Sequence, residues 1–146
     1  MNRKPRVLVV CTGNSMRSQL AEAVLRDELG ERIDVVSAGT HPTSVHPLTL
    51  GALKEAGLDT SQCRPKSVFE FAEQEFDLVV TLCDSAHLIC PHFPHARKVI
   101  HRGYGDPIRD VGSHDARAVF AQLRDKMRIE LTELVATELK IRRDAS

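Results

Sequence analysis

The sequence contains no tryptophan and only one tyrosine, Tyr104, so it lacks the aromatic platforms on which nucleic-acid bases stack. Lysine plus arginine and aspartate plus glutamate number 20 each, which leaves no net charge to attract a polyanion or an anionic membrane. No apolar run approaches the roughly 20 residues of a membrane-spanning helix, and residues 1–6 contain no apolar signal region. We therefore expect a cytoplasmic protein that binds neither nucleic acid nor membrane.

Strand and helix patterns alternate along the 146 residues, which is typical of an α/β protein with a parallel sheet. We predict one domain over residues 1–146, in which a four-stranded parallel sheet carries helices on both faces. Ligands of such sheets bind beyond the carboxyl ends of the strands. The predicted strands cover 7–10, 33–37, 76–82 and 98–100; the predicted helices begin near 17, at Pro47 and near Ser113, with a short capped helix at 67–70.

The segment 11–18, with the sequence CTGNSMRS, lies between the first apolar strand pattern and the first helical pattern. A thiol separated from an arginine by five residues, at a strand-to-helix turn, predicts a site that attacks a tetrahedral oxyanion. The backbone N–H groups of the turn converge on the anion, and a guanidinium binds two of its oxygens at once. The predicted oxyanion-binding residues are Thr12, Gly13, Asn14, Ser15, Met16, Arg17 and Ser18.

Cys11 is the predicted nucleophile of this segment, because the positive field around the turn favours the thiolate near neutral pH. Gly13 allows the tight turn, and we expect the hydroxyl of Ser15 to donate to the thiolate. The alternative is a buried structural cysteine with a surface Arg17 at chance spacing.

Two further cysteines, Cys83 and Cys90, follow the third predicted strand. Because neighbouring parallel strands end at the same edge of a sheet, Cys83 is expected near Cys11. Redox chemistry is the interpretation that we rank first, ahead of two half-buried core cysteines. A zinc site ranks third, since the spacing of the two cysteines matches no ordinary zinc motif; its further ligands would be His87, His92 and His95.

Asp106 lies in the loop segment 104–107, after the last predicted strand. A carboxyl group above an anion site is what a departing oxygen needs as a proton donor. The pair Asp106–Pro107 is equally a common turn signal, so both interpretations stay open.

Nearly the whole chain resembles the thioredoxin-coupled arsenate reductases, which share the fold of the low-molecular-weight protein tyrosine phosphatases. The resemblance implies that Cys11 is the nucleophile, Arg17 the oxyanion binder and Asp106 the general acid, with Cys83 and Cys90 as the redox pair. It rests on the segments 11–19, Ser37-Ala38-Gly39-Thr40, Val80-Thr81-Leu82-Cys83, Cys90-Pro91 and Gly105-Asp106-Pro107.

The activity implied by the resemblance is the reduction of arsenate to arsenite, without a metal or organic cofactor. Its disulfide is passed from Cys11–Cys83 to Cys83–Cys90 and is then reduced by thioredoxin or a related thiol reductant. Phosphate or sulfate would bind as analogues of arsenate, and we expect a monomer. The alternatives are a phosphatase of phosphate monoesters and a redox-sensing or anion-binding module without turnover.

The chain departs from the family pattern at three positions. Met16 stands in the anion loop where some relatives have cysteine or alanine. Some relatives bind potassium through four residues, of which Asn14, Glu22 and Ser37 are matched here, whereas the fourth position falls near Lys66. We expect the ammonium group of Lys66 to replace the ion, the alternative being an ordinary solvated lysine. Cys63 has no counterpart and is predicted to be a spare thiol.

Overall fold

Four parallel strands form one sheet in the order β2-β1-β3-β4 in the computed structural model, which describes residues 3–84, 93–108 and 115–142. Every neighbouring pair is parallel, as the alternation of strand and helix patterns predicts. The strands are β1 (Arg6–Cys11), β2 (Asp34–Gly39), β3 (Leu78–Thr81) and β4 (Val99–His101). The fold class is thus confirmed as α/β with four parallel strands.

In the part of the chain that the structure describes, three α-helices connect or follow these strands: α1 (Arg17–Leu29), α2 (Pro47–Glu55) and α3 (Ala116–Glu138). Pro47 opens α2 as predicted, and the ring of His46 accepts a hydrogen bond from the N–H of Leu48. The predicted capping box is present in the 3-10 turn Val68–Glu70, where Ser67 and Glu70 exchange both of its hydrogen bonds. The predicted start of α3 at Ser113 lies outside the described residues.

The core is formed between the sheet and the helices. Successive residues of a strand point to opposite faces, and all residues from Val7 to Val10 are fully buried, so both faces of β1 are covered. The apolar stripe of α3 also faces the core, at Phe120, Met127, Leu131 and Val135. Each such side chain contributes about 1.5–3 kcal/mol on burial. Core packing therefore explains these apolar positions of α3.

The fold brings three segments together at one edge of the sheet. Because all strands are parallel, the residues after β1, β3 and β4 emerge at the same edge. The segment that carries Lys66 runs along the outer side of β2, where Gly39 donates its N–H to the Lys66 carbonyl. Within the described ranges, no helix has the length and apolar character needed to cross a membrane.

Candidate active site

In the loop 12–16, the backbone carbonyl groups are hydrogen-bonded to other protein groups. Four consecutive carbonyls accept hydrogen bonds from groups behind the loop, whereas no backbone N–H of residues 13–16 donates to any other group in the described part of the chain. The N–H groups are thus left for an anion, as predicted for this segment. The pairs are Thr12 with His41 N (2.8 Å), Gly13 with Thr43 N (2.9 Å), Asn14 with Gln19 Nε2 (3.0 Å), and Ser15 with His46 N (3.2 Å) and Thr49 Oγ1 (2.9 Å).

Asn14 holds this loop from within. Its backbone has φ +50°, a left-handed conformation that asparagine tolerates better than most residues. Its buried amide nitrogen donates to Ser18 Oγ (2.7 Å) and Ser37 Oγ (2.9 Å). Its amide oxygen accepts from the N–H of Lys66 (2.8 Å) and from Gln19 Nε2 (3.0 Å). The side chain therefore uses all four of its hydrogen-bonding positions.

Cys11 is the last residue of β1 and is buried, with its Sγ 2.8 Å from Ser18 Oγ. Because the Ser18 oxygen already accepts from Asn14, its hydroxyl hydrogen is available to the sulfur. The prediction that Ser15 fills this role is wrong. Helical side chains lean towards the N-terminus, so Ser18 in the first turn of α1 reaches back over the start of the loop.

Arg17, the first residue of α1, has a guanidinium group that is only partly satisfied by protein groups. Its Nη1 donates to the Tyr104 carbonyl (3.0 Å), whereas its buried Nε has no partner among the described residues. Buried donors in folded proteins are almost always paired, so an orphan donor beside the anion loop points to a missing acceptor. An oxyanion over the loop is the acceptor that fits.

A cleft of about 590 Å³ opens beside the loop, lined by Thr12, Arg17, Cys83, Asp84 and the segment 103–106. Cys83 is buried in its wall, with Sγ 3.3 Å from the Oγ1 of Thr12, the residue that follows Cys11. Asp106 also lines the cleft. One of its carboxylate oxygens accepts a hydrogen bond from the N–H of Ile108 (2.9 Å), as expected of a turn residue. Asp106 therefore stabilises a turn and lines the cleft as well. Cys90 lies outside the described residues.

Lys66 is buried behind the loop rather than solvated. Its ammonium group lies 3.6 Å from Glu22 Oε1 and donates to the Arg64 carbonyl (2.9 Å). The two ion-paired side chains are only 5% and 7% exposed. Ser37 donates to the same Glu22 oxygen (2.6 Å) and accepts from Asn14, which connects the ion pair to the loop. Lys66 is thus not an ordinary solvated lysine: its ammonium pairs with Glu22, and Ser37 connects that pair to Asn14. That the ammonium replaces a potassium ion stays a prediction.

Cys63 belongs to the segment beside the outer edge of β2, whereas Cys83 follows β3. The chain after Cys63 pairs with that edge at Ser67, so β1 and β2 separate the two segments. Burial and the nearby Glu22 carboxylate raise the pKa of Cys63. Both facts agree with a spare thiol that is unreactive near neutral pH.

Two contacts at the cleft cannot be predicted from the sequence. The first is the Tyr104 carbonyl that holds Arg17, since a backbone group leaves no trace in residue identity. The second is the contact between His101 Nε2 and Asp84 Oδ1 (2.9 Å), which joins residues 17 positions apart. Among the described residues, no three histidine, cysteine, aspartate or glutamate side chains form a metal-binding group. His87, Cys90 and His92 lie outside that set.

Comparison with known proteins gives a consistent result. The model of a family described as low molecular weight phosphotyrosine protein phosphatase matches residues 6–144. An arsenate reductase of Halalkalibacterium halodurans is 39% identical over 128 residues, which cover 87% of this chain and 91% of that protein.

Solved structures show the same architecture. An arsenate reductase in its phosphate-binding state superposes with a TM-score of 0.76 at 26% identity, covering 91% of this chain and 98% of that one. A thioredoxin-dependent arsenate reductase of Corynebacterium glutamicum gives a TM-score of 0.66 at 26% identity, covering 93% of this chain and 64% of that one.

Replacement of Gly39 by alanine is expected to disrupt the anion loop. A Cβ at Gly39 would lie 2.5 Å from the Thr12 carbonyl oxygen and 2.7 Å from the Asn14 nitrogen, both backbone atoms. We expect Gly39→Ala to lower the free energy of unfolding by about 1–3 kcal/mol, as overpacking does, and to abolish binding of inorganic phosphate. Urea unfolding and titration calorimetry measure the two effects.

Gly51→Ala is the matched control, because a Cβ there meets no atom within 4 Å and Gly51 lies inside α2. It should raise the free energy of unfolding by about 0.5–1 kcal/mol and leave phosphate binding intact. Unchanged phosphate binding in Gly39→Ala would contradict the close packing of β2 against the loop.

Potassium is expected to leave the stability of the wild type unchanged, because the Lys66 ammonium already neutralises Glu22. Lys66→Asp would replace it with a carboxylate beside Glu22, and such oxygen-rich sites suit hard cations. The melting temperature of Lys66→Asp should then rise in potassium relative to sodium salts, by about 3 °C for each kcal/mol of ion binding. The exposed Lys54→Asp controls for charge alone; an equal rise in the wild type would contradict the prediction.

Proposed function

This chain belongs to the low molecular weight phosphotyrosine protein phosphatase family, and we propose that it is an arsenate reductase that converts arsenate to arsenite with thiols regenerated by thioredoxin. The observation that carries the proposal is a second buried thiol in the wall of the anion cleft. Cys83 lies 3.3 Å from Thr12, the neighbour of the nucleophile. Hydrolysis of a phosphate ester needs no such thiol, whereas reduction of an oxyanion does.

The first step uses the anion loop. Arsenate binds to the loop N–H groups and to the guanidinium of Arg17, and the sulfur of Cys11 attacks arsenic. The hydroxyl of Ser18 stabilises the thiolate before the attack. Asp106 in the cleft wall protonates the departing oxygen, which leaves as water. The product is a covalent Cys11–arsenate adduct in which arsenic is still pentavalent.

The second step transfers the electrons. The thiolate of Cys83 attacks the sulfur of Cys11, a disulfide forms and the sulfur–arsenic bond breaks. The bonding electron pair stays on arsenic, which becomes trivalent and leaves as arsenite. Cys90 then attacks Cys83, which frees Cys11 and forms the Cys83–Cys90 disulfide. A thioredoxin dithiol reduces this disulfide, and the cycle is complete without a metal or organic cofactor.

The shape of the cleft favours a small inorganic anion over an aryl phosphate. Tyr104 is the one aromatic residue among the described lining residues, and it is only 7% exposed. The guanidinium of Arg102 lies 4.6 Å and the ammonium of Lys126 5.8 Å from the centre of its ring, and its hydroxyl donates to Glu130 (2.9 Å). A ring this deeply buried offers almost no surface to the phenyl group of a phosphotyrosine.

Phosphate monoester hydrolysis is the second candidate function, because the family model and the trio Cys11, Arg17 and Asp106 support it. The same trio would bind and cleave a small phosphate ester, since phosphate and arsenate share shape and charge. Under both candidates we propose a cytoplasmic, monomeric, single-domain protein.

The decisive assay is arsenate-dependent oxidation of NADPH, coupled through thioredoxin and thioredoxin reductase. We expect turnover in the wild type and its loss in Cys83→Ser and Cys90→Ser, because each variant interrupts the disulfide relay. Cys63→Ser is the matched control, since Cys63 is not among the described residues that line the cleft, and it should keep wild-type turnover.

Each other outcome has a definite meaning. If Cys90 alone is dispensable, the Cys11–Cys83 disulfide is reduced directly by glutathione and glutaredoxin, and the thioredoxin relay is wrong. Absence of turnover with any reductant, beside rapid hydrolysis of an aryl phosphate in both cysteine variants, would leave the phosphatase.

A further inference from the structure

His101 and Asp84 form a pair at the mouth of the cleft that the proposed reaction does not use. His101 is the last residue of β4, and its Nε2 lies 2.9 Å from Asp84 Oδ1. Asp84 directly follows Cys83 in the chain. The pair therefore joins the backbone next to the second thiol to the neighbouring strand.

Within the described residues, the backbone hydrogen bonds of β3 with its two neighbouring segments reach Leu82, the residue before Cys83. The N–H of Leu82 donates to the Val10 carbonyl (2.8 Å), and the Leu82 carbonyl accepts from the N–H of Tyr104 (2.7 Å). No backbone hydrogen bond of Cys83 or Asp84 to the rest of the described chain continues this ladder. Among the described residues, the contacts that follow the ladder are made by side chains: Cys83 Sγ with Thr12 Oγ1 (3.3 Å) and Asp84 Oδ1 with His101 Nε2 (2.9 Å).

The fixed member of the pair is the histidine. Its Nδ1 lies 2.9 Å from the hydroxyl oxygen of the buried Thr81, and its side chain is 27% exposed, against 90% for Asp84. Gly103 packs beside it, where a Cβ would lie 3.2 Å from His101 Nε2 and 3.5 Å from Asp84 Oδ1. Because a carboxylate only accepts hydrogen bonds, Nε2 carries a hydrogen and donates a hydrogen bond to Asp84.

We propose that His101, acting through Asp84, is a positioning residue that holds the Cys83 sulfur in the cleft wall for its attack on Cys11. Cys83 follows β3, and the Thr12 contact reaches it from the β1 side, whereas the His101–Asp84 hydrogen bond holds the adjacent residue from the β4 side. The role of the attack in arsenate reduction rests on the proposed function. The placement of the thiol does not.

The test measures the rate of disulfide formation between Cys11 and Cys83. The background protein carries Cys63→Ser and Cys90→Ser, so that only these two cysteines remain. Diamide is the oxidant: the two thiols give up two electrons and two protons to its azo bond, and a disulfide forms. Quenched alkylation with mass spectrometry gives the rate. We expect Asp84→Ala to slow disulfide formation about fivefold, the effect of one lost hydrogen bond.

Asp84→Asn separates position from charge, because its amide oxygen still accepts from His101 while its charge is gone. It should retain the rate of the background protein to within about twofold. Glu73→Ala is the matched control, since it removes an exposed carboxylate 3.7 Å from another histidine, His95, away from the cleft. Affinity for inorganic phosphate should be equal in Asp84→Ala and Asp84→Asn, because both lack the same charge.

His101→Ala provides an independent variant of the same contact. It should slow disulfide formation as Asp84→Ala does, and the double variant should be no slower than either single one. Melting temperatures close to that of the background protein verify folding. An unchanged rate in Asp84→Ala, equal slowing in Asp84→Asn, or additive effects in the double variant would each overturn the proposal.

Single-turnover arsenite formation by the same variants separates this proposal from the proposed function. Slowing by Asp84→Ala in both assays supports both. If the background protein forms its disulfide with diamide at a rate that depends on Asp84 but produces no arsenite, the reductase proposal fails and the positioning role stands.

Discussion

The structure depends on keeping a row of backbone N–H groups unpaired at the end of β1. Such groups are costly to leave without partners, so the surrounding chain must fix the loop in the one conformation that exposes them to a ligand. Asn14 does this from inside the loop, with four side-chain hydrogen bonds and a left-handed backbone. From outside, hydrogen bonds from residues 41–49 and from Gln19 fix the loop carbonyls. The anion site is thus preorganised before an anion arrives.

A buried ion pair supports that arrangement. Burial of Glu22 and Lys66 carries a desolvation cost that their attraction offsets only when further hydrogen bonds satisfy both groups. Ser37 and the Arg64 carbonyl supply them, and Arg26 adds a second contact to Glu22 (2.9 Å). Because Ser37 also accepts from Asn14, the orientation of the Asn14 amide depends on the ion pair. The ion pair is therefore better understood as a device that fixes the loop than as a source of stability.

Sequence reasoning predicts those features that repeat or that require one residue type. Apolar runs and helical periodicity predict the strands and helices, and the spacing of Cys11 and Arg17 predicts the anion loop. The choice of Ser18 over Ser15 depends on the direction in which helix side chains lean, and the hold of Tyr104 on Arg17 depends on a backbone carbonyl. Neither leaves a pattern in the residue order. Lys66 was predictable only because a family resemblance gave its position a meaning.

The sheet order explains how a phosphatase-like site gains a second thiol. Parallel strands in adjacent positions end side by side, about 4.8 Å apart, so the residue after β3 is the natural neighbour of the residue after β1. A cysteine at position 83 reaches the wall of the cleft without any change to the anion loop. The loop supplies one contact to that sulfur, from Thr12, and the backbone ladder seen in the described residues reaches Leu82. The proposed second hold comes from β4, the next strand in the sheet, so the sheet order that brings the two thiols together also provides the histidine that contacts Asp84.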